Sequence, residues 1–272
     1  MKKYEEVFIV LTYRSIEDLE ECIISIQKKF LSSKIIIVNS FYDNRTKDEF
    51  MMIAQKYNCD FLNVENKGYG YGNNRGIEYC LQNYEFDYLV ISNPDIIVKK
   101  ACMDLTRYKN KEVVIAPKVV TRKGKEQNPY WVVKNSLAEK LIYVGYKQKN
   151  KGIVYAGIIL NKIIRVIFNI YAKNSGKTEF KVYASHGCFV IFSYNAIKKL
   201  GEVYDEKMFL FAEEALLAHR LEKLQIPTIY TKEVFIYHKE DGSVGVAQIN
   251  EQSEVRKSVI YYFEKIKRGK YV

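Results

Sequence analysis

The chain has 272 residues, of which 48% are hydrophobic and 28% charged, and its formal net charge is +11. That length and apolar content build one large or two small folded units and exclude a disordered or fibrous chain. The positive excess points to an anionic partner (nucleotide, nucleic acid or acidic lipid), and five cysteines without a Cys-x-x-Cys pair argue for reduced thiols in a cytosolic setting and against a zinc site.

Residues 1–6 run straight into a strand, which leaves no room for a signal peptide. Apolar runs at 7–11, 34–38, 61–64 and 88–92 predict four buried strands. Between them, apolar residues at helical spacing predict helices over 16–30, 48–57 and 73–82. Strands alternating with helices mean a parallel sheet with right-handed crossovers.

Two segments in this part carry chemistry. Asn66-Lys67-Gly68-Tyr69-Gly70-Tyr71-Gly72-Asn73-Asn74-Arg75-Gly76 lies between the third strand and its helix. Its glycines permit positive φ and close backbone approach, and a turn opening a helix offers N–H groups to an anion. No Gly-Lys-Ser/Thr follows, and the segment trails the third strand, so neither a P-loop nor a dinucleotide fingerprint is present. A plain flexible turn with a helix cap remains the other reading. Ser92-Asn93-Pro94-Asp95 closes the fourth strand and sets a carboxylate at its end, where ligands gather in open α/β sheets. An acid there can hold a divalent cation, and the cation a diphosphate.

Residues 186–192 form another strand, with Gly187 near its start, and 196–200 a short helix ended by Gly201. Glu213 and Glu214 follow an aromatic run at the mouth of a predicted helix over 215–224. Apolar neighbours raise a carboxyl pKa and a helix N-terminus tolerates the charge, so the pair suits general-base work; simple helix capping is the alternative. A β-rich stretch over 226–236 leads to His238, a lone histidine that reads as structural or as a metal ligand.

The ordered set resembles one family. A strand ending in Thr12-Tyr13, a strand ending in Val38-Asn39-Ser40, the glycine-rich segment, Asn93-Pro94-Asp95, Gly187-Cys188-Phe189, the acids from Asp205-Glu206 to Glu213-Glu214, and His238 are similar to an inverting glycosyltransferase of the GT-A fold, family 2, rhamnosyltransferase-like branch. The resemblance implies an α/β GT-A fold: a Rossmann-like, mostly parallel central sheet flanked by helices, with a C-terminal helical extension. It implies that Asp95 holds Mg²⁺ or Mn²⁺, with Asn93 in the place of the first acid of the metal motif and His238 completing the site. Thr12, Tyr13, Asn39 and Ser40 would border the nucleobase and ribose. Asn73, Asn74 and the glycines before them, Gly70 included, would line the donor pocket. Glu214 would be the catalytic base and Glu213 would orient acceptor hydroxyls. The implied donor is a dTDP- or UDP-sugar, and the acceptor a glycan or lipid-linked molecule of cell-surface polysaccharide assembly. Asn39 stands where the family carries an aspartate, Leu216 where it carries an acid, and Tyr13-Arg14 where it carries Tyr-Asn. A catalytically silent GT-A module that binds nucleotide sugar or a partner enzyme is the alternative.

On this reading residues 1–115 bind the nucleotide sugar, 116–240 bind the acceptor and carry catalysis, and 241–272 form a basic helical tail. Residues 131–179 are a basic, apolar insertion with nine Lys/Arg and two acids. Within it, 153–172 is nearly apolar apart from a narrow stripe that includes Asn161, Lys162 and Arg165. Its length permits a membrane span, but central cations disfavour one, leaving two equal readings: an in-plane interfacial helix, or a core-packed helix with a solvated stripe. With the basic, aromatic C-terminus, the interfacial reading places the protein in the cytoplasm, peripheral at the inner face of the membrane. A nucleic-acid binder is set aside, since no nucleic-acid motif occurs and the 23 tyrosines are spread throughout.

Overall fold

The computed structural model describes residues 1–14, 16–240 and 250–269. Its spine is a nine-stranded mixed sheet. In chain order the strands are β1 (Lys2–Thr12), β2 (Ser33–Ser40), β3 (Asp60–Val64), β4 (Tyr84–Ser92), β5 (Ile96–Ala101), β6 (Val114–Thr121), β7 (Glu179–Val182), β8 (Phe189–Ser193) and β9 (Thr228–His238). The helices are α1 (Glu17–Lys29), α2 (Asn44–Lys56), α3 (Tyr69–Asn83), α4 (Ser136–Lys147), α5 (Lys151–Asn174), α6 (Tyr194–Leu200), α7 (Glu213–Lys223) and α8 (Glu251–Lys267).

The sheet order is β3-β2-β1-β4-β8-β6-β9-β5, with β7 also on β9. β3, β2, β1 and β4 are mutually parallel, whereas β8 is antiparallel to both β4 and β6. Neighbouring residues of the parallel strands bury on opposite faces. Phe8, Val10 and Ile37 join one core with Leu19 and Ile23 of α1, while Val7, Ile9 and Ile36 join a second with Ile77 of α3 and Leu217 of α7. Burial on both faces explains why these strands read as continuous apolar runs.

Three differences from the sequence reading matter. The boundary drawn at 115/116 falls inside β6, and both proposed halves share the one sheet. α3 starts at Tyr69, not Asn73, so Gly70, Gly72 and Gly76 lie inside a helix, and of the four glycines only Gly68 takes positive φ (+104°). The inner glycines serve close packing: a Cβ on Gly76 would stand 2.7 Å from Ile9, and one on Gly72 2.5 Å from Leu11. The third concerns α5. Its polar stripe divides: Asn161 Nδ2 donates inward to Tyr130 O (3.2 Å) and Arg165 Nη2 to Glu126 O (2.5 Å), while Lys162 and Lys173 stay exposed. Phe168 and Ala172 dock on Val182 and Tyr230, and Gly145 and Gly157 let α4 and α5 approach closely. Val154 is also buried and Leu160 packs near Trp131, but Tyr155, Ile158, Ile159, Ile163, Val166, Ile167, Ile170 and Tyr171 are exposed, so the core-packed reading with a solvated stripe fails. α8 realises part of the predicted tail, of which 241–249 and 270–272 lie outside the described residues.

Candidate active site

β1, β2 and β4 run parallel and finish at Thr12, Ser40 and Ser92 on one edge of the sheet, the edge where α/β ligand crevices lie. Thr12, Asn39 and Ser40 are buried there. Thr12 Oγ1 donates to Val38 O (3.4 Å) and Asn39 Nδ2 to Asn63 Oδ1 (2.7 Å), which leaves Asn39 Oδ1 buried without a partner among the described residues. Next to Thr12 in sequence, the rings of Tyr13 and Tyr42 meet edge to face at 5.8 Å, and the Arg14 guanidinium lies 3.6 Å over Tyr42.

The acid at 95 acquires its companion through strand pairing. β9 runs antiparallel to β5 and sets His238 opposite Ile96, so the imidazole arrives beside the preceding residue. His238 Nε2 lies 3.2 Å from Asp95 Oδ2, and both side chains are buried. Gln127 donates through Nε2 to Glu240 Oε1 (2.9 Å), which turns its own Oε1 toward His238 Nδ1 at 2.6 Å. An amide oxygen only accepts, so Nδ1 donates to it, and Nε2 is left facing a carboxylate oxygen. That nitrogen and that oxygen can share a proton or a cation between them. Asp95 Oδ1 is also buried and has no partner among the described residues. A carboxylate plus an imidazole whose far nitrogen is fixed by an amide fits Mg²⁺ or Mn²⁺. Among the described residues no group of three or more His, Cys, Asp and Glu side chains could hold a metal by itself, so substrate oxygens and water would fill the remaining positions, as is usual for Mg²⁺.

The paired acids sit on a strained turn. Phe211 (φ 72°) and Ala212 (φ 65°) are consecutive non-glycine residues in the left-handed region, each costing about 1–2 kcal/mol. Such backbone persists where its surroundings hold it. Here Tyr69 N donates to Phe209 O (2.8 Å) and Ser258 Oγ to Leu210 O (2.6 Å). Gly68 permits the first contact: a Cβ there would lie 2.2 Å from Phe209 O. The turn delivers Glu213 and Glu214 to the first turn of α7, where the helix dipole favours negative charge. Glu214 Oε1 accepts the Gly187 N–H (3.2 Å), while Glu213 is buried with Oε1 unpartnered. Burial, then the Glu214 charge, pushes the Glu213 carboxyl up to about 8. Burial raises Glu214 as well, opposed by the N–H groups of its own helix turn and of Gly187. Two carboxyls with different surroundings take different roles: Glu213 holds a proton near neutrality and Glu214 is the better acceptor.

His186-Gly187-Cys188 joins the two centres. The His186 ring lies 5.8 Å from that of His238, Gly187 N–H binds Glu214, and Cys188 O accepts from Asn93 N (2.9 Å). Burial, then the neighbouring His238, lowers His186 to about 3, so it is neutral. Its Nδ1 accepts the Cys188 N–H (3.1 Å), which leaves the proton on Nε2. Tyr69 OH donates to Gly187 O (2.8 Å). A cavity of about 430 Å³ borders Asn93, His186, Glu213 and Glu214 together with the apolar Trp131 and Phe263. Glu139 braces α4, α7 and α8 around it, taking His219 Nε2 at 3.2 Å and Tyr262 OH at 2.9 Å on one oxygen.

The structure thus brings Asn93, Glu213 and Glu214 to one cavity, pairs Asp95 with His238, and sets Thr12, Asn39 and Ser40 at the strand ends. Asn73 keeps a buried, unpartnered Oδ1, its Nδ2 being bound to Tyr69 O (3.0 Å). Two expectations need correction. Asn74 is occupied elsewhere: Nδ2 donates to Tyr204 O (2.8 Å) and Oδ1 accepts Tyr204 N–H (3.1 Å), so it pins the 204–206 turn. Gly70 packs against the same turn, with its Cβ position 3.1 Å from Asp205 O. His186 and Tyr69 were missed; the only signal in the sequence was that each adjoins a glycine of the quoted motifs.

Neither a protein-family model nor a curated protein matches the chain. Among solved structures it is similar to the crystal structure of GalNAc-T7 with UDP, GalNAc and Mn²⁺, with TM-score 0.59 and 10% identity over 87% of this chain and 44% of that one. The chain spans less than half the length of that neighbour. At this identity the likeness shows the fold: an α/β GT-A architecture with its central sheet flanked by helices.

Proposed function

We propose that the chain is a metal-dependent inverting glycosyltransferase of the family 2, rhamnosyltransferase-like type. It moves a sugar from a UDP- or dTDP-sugar to a hydroxyl of a glycan or lipid-linked acceptor in cell-surface polysaccharide assembly, at the cytoplasmic side of the membrane. The observation that carries this reading is that the buried oxygens of Asn39, Asn73, Asp95 and Glu213, all named from the sequence, have no partner among the described residues. Buried polar atoms without partners are rare and call for a ligand. The solved neighbour, which contains UDP and Mn²⁺, supports the nucleotide-sugar part.

Asn39 Oδ1 would accept a nucleobase N–H, and Asn73 Oδ1 a sugar hydroxyl. Asp95 and His238 would hold Mg²⁺ or Mn²⁺, which supplies charge neutralisation to the departing diphosphate. Protonated Glu213 would donate to the acceptor and orient it. Glu214 would take the proton of the attacking hydroxyl as its oxygen bonds to the anomeric carbon. The bond to the diphosphate breaks on the opposite face, so one displacement inverts the centre.

Thermal shift with UDP, dTDP and GDP, each with and without Mn²⁺, tests the reading. A metal-dependent rise with UDP or dTDP is expected, since a ligand of the native state alone raises Tm. No rise with any of them would refute it. Binding without transfer would leave the silent module in its place.

A further inference from the structure

Among the described residues the outward face of α5 has no partner. Ile158, Ile159, Ile163, Val166, Ile167 and Ile170 are 44–62% exposed, and Tyr155 and Tyr171 extend the same face at 61% and 55%. Along the 24 residues of the helix (mean hydropathy 1.7 over its most apolar stretch), only 11% of that stretch is buried. A stable soluble surface rarely shows so long an apolar strip.

The charges around it identify what covers it. Residues 140–178 hold seven Lys and one Arg and no Asp or Glu. Arg165 is turned inward onto Glu126 O, so the water-facing border is made of lysines. Lys151, Lys162 and Lys173 stand exposed along the helix, with Lys147 and Lys149 before it and Lys177 after it. A second copy of the same face would oppose like charges, which disfavours self-association. An anionic surface with an apolar interior complements both features. The inward hydrogen bonds of Asn161 and Arg165, with the docking of Phe168 and Ala172, tie the helix to the α/β body along its length. That attachment is compatible with a helix lying in the membrane plane and incompatible with one crossing it.

We propose that α5 docks this protein on an anionic phospholipid bilayer, lying in the plane of the interface with its isoleucine face in the acyl boundary and its lysines among the headgroups. The inference stands apart from the transfer reaction, since vesicle binding is read without turnover.

Co-flotation of the full chain with phosphatidylcholine vesicles, with and without phosphatidylglycerol, at physiological salt tests it. Binding to the anionic vesicles is expected. Ile159→Glu/Ile163→Glu/Ile167→Glu should weaken it by more than tenfold, with circular dichroism and Tm unchanged because these side chains are already in water. Lys151→Gln/Lys162→Gln/Lys173→Gln should lower it severalfold and flatten its salt dependence. Absence of binding to anionic vesicles, equal binding to neutral ones, or undiminished binding of the glutamate variant would each overturn the proposal. So would a dimer that the glutamate variant dissolves. With Ile163→Trp, lipids brominated near the carbonyls should quench more than lipids brominated at the chain ends; the reverse order would refute the in-plane placement.

Discussion

The parallel strands and the α4–α5 hairpin are built from equally apolar sequence, yet they turn it in opposite directions. In β1, β2 and β4 both faces are covered, and residues such as Phe8, Ile9, Ile36 and Ile37 have no exposed surface. In α5 the amide and guanidinium point to the body, and the isoleucines point away. Hydrophobic periodicity therefore defines a face without saying which way it looks. A strand covered on both sides leaves no choice, whereas a single helix on the rim of a sheet has one.

The largest effect is expected at the seam between the two regions. α7 carries the paired acids from the sheet and meets α4 through His219 and Glu139. Glu214→Gln should lower transfer by about 10²–10⁴-fold, the usual worth of a general base, while the thermal shift with donor and Mn²⁺ persists. Full activity would take the base role from Glu214.

Within the sheet, Ile37→Ala removes a side chain with no exposure and should cost about 2–5 kcal/mol in urea unfolding. A cost below 1 kcal/mol would mean that this core is less well packed than the structure indicates.

The acids also leave a mark on stability. Glu213 titrates near 4.5 when unfolded and near 8 when folded. Between those values the folded chain keeps a proton that the unfolded chain has lost, so this group makes stability fall as pH rises through that window. Glu213→Gln should melt close to the parent at pH 5 and a few degrees above it at pH 8.5. Parallel melting curves across that range would contradict the assignment of a raised carboxyl. His186, lowered to about 3, acts in the other direction: its contribution is lost as pH falls from 6.5 toward 3.

The smallest effect is expected on the hairpin. Ile163→Ser changes a side chain that is 51% exposed and should shift stability by no more than about 0.5 kcal/mol. The contrast with Ile37→Ala measures the difference between the two regions directly, and a core-like loss at position 163 would erase it.

Much of the fold was legible because its signals are local. The four apolar runs, the helices between them and the carboxylate closing β4 follow from side-chain pattern alone, since a strand buried on both faces needs a continuous run. The acids at the mouth of α7 were also visible. The pairing of Asp95 with His238 could be suggested only by resemblance, because 143 positions of chain separate them and the contact exists through the register of β5 on β9. The role of Asn74 could not be read at all: an amide in a glycine-rich segment looks like a ligand-binding group until the turn at 204–206 is seen folded onto it.

By itself, then, the sequence determined the alternation of strands and helices, the sites of the acids and the existence of an apolar, lysine-edged helix, because each depends on neighbours a few positions apart. Tertiary structure alone decided which way that helix faces, the neutral state of His186, and the difference in surroundings that sets Glu213 apart from Glu214. Each of these depends on which distant groups exclude water from the residue, and burial and register are properties of the assembled sheet.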